Sequence, residues 1–132
     1  MSSFPQPHAQ QRAPRAHLEG FTSAVLRLSD GRCVPGKLQV ISVAGGLLRL
    51  PRPVDQGSRA KLMFLTHSGS VLGVAEMLRP VSWDLQPFRF VTLFDDDLDR
   101  LQAAIQSTLE QSRREHKQSR RAHEQIERHR AW

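Results

Sequence analysis

The 132 residues suit one domain with extensions, since domains usually run to about 100–150 residues, and 39% apolar with 24% charged residues is an ordinary soluble composition. A net charge of +6 favours anionic partners such as nucleotides, nucleic acid or membrane surfaces without choosing among them. Cys33 is the sole cysteine, which excludes an internal disulfide and points to a reducing, cytoplasmic setting, and the sequence has no signal-like N-terminal apolar run and no apolar stretch of about 18 residues to span a bilayer.

Residues 1–19 hold Pro5, Pro7 and Pro14 among Gln and Ser and show no apolar periodicity, so they read as a flexible tail. At residues 21–29 the alternation of Ala24, Leu26 and Leu28 predicts a half-buried strand, and Asp30-Gly31 predicts a tight turn into a second strand over 33–41. Further strands are expected over 46–50, ended by Pro51 and Pro53, over 60–66 before Ser68-Gly69-Ser70, and over 71–78 and 88–94. Six short strands separated by turn residues predict a mainly β protein, a compact barrel or sandwich.

The period then changes. Asp95, Asp96 and Asp97 supply capping groups and favourable charge for a helix N-terminus, and neither Gly nor Pro follows. The predicted helix, from about 96 to 128, would be roughly 50 Å long. Leu98, Leu101, Ile105 and Leu109 form an apolar stripe suited to packing on the barrel. The chain thus divides into a tail with a basic pair (1–19), a barrel (20–94) and a C-terminal helix (95–132) whose second half is a polar, basic extension.

One constellation carries chemistry. In Ile41-Ser42-Val43-Ala44-Gly45-Gly46 a serine and two glycines open a strand, where glycine lets another group approach the backbone and serine offers a hydroxyl. A ligand or a tight barrel corner would each account for it. Arg12 and Arg15 can clamp phosphates with forked hydrogen bonds or simply keep the tail solvated.

Taken together, the pair and the Ser-x-x-Gly resemble the PilZ domain family, in which R-x-x-x-R precedes the barrel and D/N-x-S-x-x-G begins the third strand. The resemblance covers about residues 11–109, and Phe88-Arg89-Phe90-Val91-Thr92-Leu93-Phe94 looks like the family's last strand. It implies a small six-stranded PilZ-like β-barrel followed by a long helix, a regulatory role in bacterial cyclic di-GMP signalling, and Arg12, Arg15, Ser42 and Gly45 as nucleotide-binding residues. Two positions depart from the motif. Gln11 stands where the first arginine belongs, and Val40 where the family has Asp or Asn. Losing one such side-chain contact to a buried polar edge costs about 1.5–3 kcal/mol, roughly 10- to 150-fold in affinity. The structural reading of Val40 is a core residue facing with Leu38.

Other groupings are weaker. His116, His123 and His129 lack the spacing of a metal site, the aspartates at 95–99 lack the central glycine of a calcium loop, and no residue grouping suggests catalysis. Neither a metal nor a resident cofactor is expected, with cyclic di-GMP as the candidate ligand. The sequence therefore predicts a binding protein whose nucleotide affinity is weakened or lost and whose output passes through an unidentified protein partner. Alternatives are nucleic-acid binding by Arg113, Arg114, Lys117, Arg120, Arg121, Arg128 and Arg130, and homo-oligomerisation along a heptad seam of Leu98, Leu101, Ile105, Ala122 and Ile126, which Thr108, Ser112, Glu115 and Ser119 interrupt.

Overall fold

A computed structural model describes residues 13–130, with side chains over 13–18 and 22–114. Six strands, β1 (Ala16–Leu28), β2 (Cys33–Ile41), β3 (Gly45–Arg49), β4 (Arg59–Thr66), β5 (Gly69–Met77) and β6 (Leu85–Leu93), precede one helix, α1 (Asp95–Arg130). The strands close an antiparallel barrel in the order β1-β2-β3-β6-β5-β4.

Binary alternation places the core. In β4, Ala60, Leu62 and Phe64 point inward while Arg59, Lys61, Met63 and Leu65 point outward, the period of two expected of a sheet with one buried face. Leu26, Leu38, Leu48, Val71, Met77 and Phe88 complete the interior from the other strands. The β1–β2 hairpin turns at Gly31, whose φ of 90° suits glycine. Asp30 accepts hydrogen bonds from the Arg32 backbone N–H at 3.0 Å and from Arg32 Nε at 2.6 Å.

The first strand corrects the predicted tail. β1 starts at Ala16, inside the 1–19 stretch, because Ala16 pairs with Ile41 and His17 with Val40, and Ala16 is fully buried. The register then slips between His17 and Thr22. A second irregularity matters more for function. In the β2–β3 ladder Leu38 pairs with Leu48 but Val40 pairs with Leu47, so β2 has one residue more than its partner, the signature of a β-bulge. Beyond the bulge the inward positions change parity, and Ile41 takes the core place that strict alternation would give to Val40.

α1 docks on one end of the barrel. Leu101 and Ile105 are buried against it, with Leu109 partly buried beside them, as the apolar stripe predicts. The first turn is fixed to β5: Leu72 N–H donates to Asp97 Oδ1 at 3.0 Å, and Arg100 Nε donates to the Ser70 carbonyl at 2.7 Å. The barrel therefore already uses Leu101 and Ile105, two members of the heptad seam. The side chains of Glu115, Ser119, Ala122 and Ile126 lie outside the described residues.

Two polar clamps order the loops. Gln86 is buried, and its amide accepts from Val54 N–H at 2.7 Å and donates to the carbonyls of Val54 at 2.6 Å and Leu78 at 2.9 Å. The loop between β5 and β6 is tied to the end of β3 by an Arg49–Asp84 ion pair and by Leu50 N–H donating to the Asp84 carbonyl at 2.8 Å.

Candidate functional site

The end of β2, the turn after it and the start of β3 form one wall of a cleft of about 420 Å³, with β6 and the β5–β6 loop opposite. This is within the range of small-molecule pockets, roughly 300–1,000 Å³. Arg15, Val40, Ser42 and Gly45 all line it, so the structure brings together every predicted site residue except Arg12. Arg12 and the motif departure Gln11 lie outside the described residues. Leu47, Leu78, Val81, Pro87 and Phe88 make the remainder largely apolar, and Arg89 adds a second cation.

Val40 does not face with Leu38. The bulge turns its half-buried side chain outward beside Leu47, onto the cleft wall. It occupies a cleft-facing position with no hydrogen-bonding atom in its side chain. That corrects the reading of Val40 as core, and the reason is the extra residue in β2.

Ser42 has a different role from the one its sequence context suggests. Its Oγ accepts from the N–H groups of Ala44 and Gly45, each at 3.2 Å, and donates to the Gly45 carbonyl at 3.2 Å. Those contacts fill the hydroxyl's single donor and both acceptor sites, so it shapes the turn from within and has nothing left for a ligand. The backbone reinforces the turn, with Ser42 N–H donating to the Gly45 carbonyl at 2.7 Å.

Both glycines are required by the barrel itself. A Cβ on Gly45 would lie 2.1 Å from the Phe88 carbonyl oxygen, and one on Gly46 would lie 2.2 Å from that of Val40. Of the two explanations open for Ser-x-x-Gly-Gly, the tight corner thus accounts for all three residues. The same corner also creates the concave wall.

Among the described residues the lining of the cleft holds two guanidinium groups, Arg15 and Arg89, and no carboxylate. Arg15 is exposed and makes no ion pair with the described residues. Arg89 Nη2 donates to Glu76 Oε1 at 2.7 Å, with about half of its side chain open to solvent. Sequence reasoning did not select Arg89, because only the β3–β6 register, which pairs it with Gly45, brings it to the motif. Elsewhere, a cavity of about 240 Å³ between α1 and the barrel and a cleft of about 490 Å³ beside the β1–β2 turn contain none of the predicted site residues. The side chains of His116, His123 and His129 and of the basic residues from Lys117 onward lie outside the described residues.

No family model matches the sequence, and no curated protein is similar to it at a significant level. Likeness appears in three dimensions. The PilZ domain of YcgR from Escherichia coli, solved with c-di-GMP, matches with a TM-score of 0.68 over 82% of this chain and 98% of that one, at 16% identity. The fold is PilZ-like. The longer YcgR structure in complex with c-di-GMP matches with a TM-score of 0.70 over 83% of this chain and 50% of that one, at 18% identity. MrkH of K. pneumonia matches with 0.67 over 79% and 52%, at 17% identity. The chain thus spans about half the length of these two longer structures. The expected six-stranded PilZ-like barrel with a C-terminal helix is the fold observed, and among the described residues no helix is long and apolar enough to cross a membrane.

Proposed function

We propose that this chain is a PilZ-like regulatory module of bacterial cyclic di-GMP signalling, acting in the cytoplasm by binding rather than catalysis, with direct nucleotide binding weakened or lost and output through protein contacts. The PilZ-like fold and the two guanidinium groups of the cleft support the signalling class, since both YcgR structures hold c-di-GMP. Arg15 and Arg89 are the described residues suited to phosphate oxygens. The observation that carries the weakened-binding reading is Val40, a hydrocarbon side chain turned into the cleft where a polar edge would need a partner. Ser42 does not compensate, because its hydroxyl is used within the turn.

Calorimetric titration with cyclic di-GMP tests this. The expected dissociation constant for the chain as it stands is weaker than about 100 μM, and Val40→Asn should tighten it about 10- to 150-fold by restoring one contact worth about 1.5–3 kcal/mol. Adding Arg15→Ala to Val40→Asn should cancel most of that gain. Low-micromolar binding by the unaltered chain would overturn the weakened-affinity reading. No gain with Val40→Asn would show that the valine is not what limits binding.

A further inference from the structure

The cleft beside the Ser42–Gly45 turn is charged at one end only. Val40 pairs with Leu47 and Leu47 with Pro87, and Leu78 N–H donates to the Pro87 carbonyl at 2.9 Å, so four apolar residues sit side by side along its floor. Val81, 66% exposed, stands at the rim. Arg89 lies two residues along β6 from Pro87 and opposite Gly45, which puts it on the same face of the strand and at the turn end of the cleft. Arg15 immediately precedes Ala16, the partner of Ile41, so the second cation reaches that end as well. His17, across from Val40, is exposed and outside the lining. Hydrocarbon and charge are thus segregated along the cleft.

Hydrogen-bonding groups in the lining are already engaged. The Ser42 hydroxyl and N–H are used within the turn, as are the N–H groups of Ala44 and Gly45 and the Gly45 carbonyl. The Ala44 carbonyl accepts from Phe90 N–H at 2.8 Å, Val81 N–H donates to the Leu85 carbonyl at 3.0 Å, and Pro87 has no N–H to give. Besides Ser42, Arg15 and Arg89 carry the only polar side chains in the lining among the described residues. The cleft therefore reads a negative charge and an apolar shape, and no pattern of donors and acceptors.

That selects the occupant. A nucleobase edge or a peptide backbone brings several donors and acceptors, which would lie unpaired against hydrocarbon. A small inorganic anion would satisfy the guanidinium groups and leave the apolar floor uncovered, although the cleft, at about 420 Å³, has the size of a site for an organic molecule. In a second copy the same patch again carries Arg15 and Arg89, so two-fold pairing of the clefts sets cations against cations. What matches is an organic anion whose polar atoms are confined to one end.

We propose that the cleft binds a small amphiphilic anion, an acyl chain ending in one carboxylate or phosphate, with its head group between Arg15 and Arg89 and its hydrocarbon along Val40, Leu47, Pro87 and Val81. The proposal rests on the reading that direct nucleotide binding is weakened or lost, and it gives the altered site a ligand. Val40, which deprives a nucleotide of a contact, is here part of the binding wall.

Isothermal titration of the full chain with butyrate, hexanoate, octanoate and decanoate tests it. Each added methylene should tighten binding about two- to fourfold until the cleft is filled. Decanoate and decyl phosphate should each bind at least tenfold tighter than decyltrimethylammonium. Arg15→Gln combined with Arg89→Gln should weaken decanoate at least tenfold, and so should Val81→Asp. Val40→Asn should weaken decanoate while tightening cyclic di-GMP. Leu65→Asp, in the separate cavity under α1, should leave decanoate binding unchanged, and circular dichroism confirms that each variant is folded. Absence of a chain-length trend, equal binding of decyltrimethylammonium, or indifference to Val81→Asp overturns the proposal. So does binding of phosphatidylglycerol vesicles that Val81→Asp abolishes while decanoate does not bind, or a dimer in light scattering that Val81→Asp dissolves while decanoate does not bind. The acyl titrations contain no nucleotide, so their failure is distinct from failure of the cyclic di-GMP titration.

Discussion

The two faces of this barrel differ in how their side chains come to point where they do. Between β1 and β4 and between β4 and β5 the ladders run without a break, and along β4 every second residue reaches solvent. On β2 and β3 a bulge breaks the count between Leu38 and Val40, and the residue that parity assigns to the core lines a cleft instead. A regular face can be read from sequence one residue at a time, whereas a bulged face depends on a single inserted position that alternation does not announce.

Glycine substitutions probe the contrast most strongly. A Cβ on Gly45 meets backbone, the Phe88 carbonyl at 2.1 Å and Arg89 Cα at 2.8 Å, whereas one on Gly73 meets only side chains, Leu93 Cδ2 at 2.9 Å and the Phe90 ring at 3.1 Å. Gly45→Ala should therefore cost about 3 kcal/mol or more, because strand backbone must separate, and Gly73→Ala about 1–2 kcal/mol as side chains repack. Urea midpoints at unchanged m-value would measure both. Equal losses would mean that the corner at Gly45 yields as easily as a regular strand.

Ser42→Ala should have an intermediate effect. It removes the hydroxyl from a turn in which it makes three hydrogen bonds, so a loss of about 1–2 kcal/mol is expected, against less than about 0.5 kcal/mol for Ser23→Ala on the exposed face of β1. If Ser42→Ala instead left stability unchanged, the turn would hold through its backbone contacts alone.

The smallest expected effect is at the β1–β2 turn. The Arg32 backbone N–H, aided by its guanidinium, holds the Asp30 carboxyl below the usual aspartate range. A depressed folded-state value means that the stabilisation is fully present above the ordinary aspartate pKa and fades as pH falls through the lower, folded one. At full exposure the effect is slight. Comparing Asp30→Asn with the parent across acid pH should show the two stabilities converging as pH falls. A gap that widens with acidification would contradict the assigned sign.

Much of the architecture was legible because local chemistry and pattern agreed. Asp30-Gly31 marked the hairpin, β2 has its predicted limits, and the aspartates from Asp95 marked the start of α1. What escaped depended on pairing. Ala16 joins β1 only because Ile41 is opposite it, Arg89 reaches the cleft only through its partner Gly45, and Gln86 becomes a loop clamp only where Val54 and Leu78 converge on it. For the site, the sequence located the corner correctly but could not tell whether Ser42 would point its hydroxyl outward or consume it.

Ring closure sets a limit on how this molecule can communicate. Every strand has a neighbour on both sides, so among the described residues an incoming chain could extend the sheet only at strand ends that overrun their ladders, such as Cys33–Gly36 of β2 beside β3. Strand addition is thereby confined to short stretches, both as a recruitment mode and as a route to edge-to-edge aggregation. Recognition through the barrel must be written in side chains, which makes it editable by point substitution without rewiring the backbone.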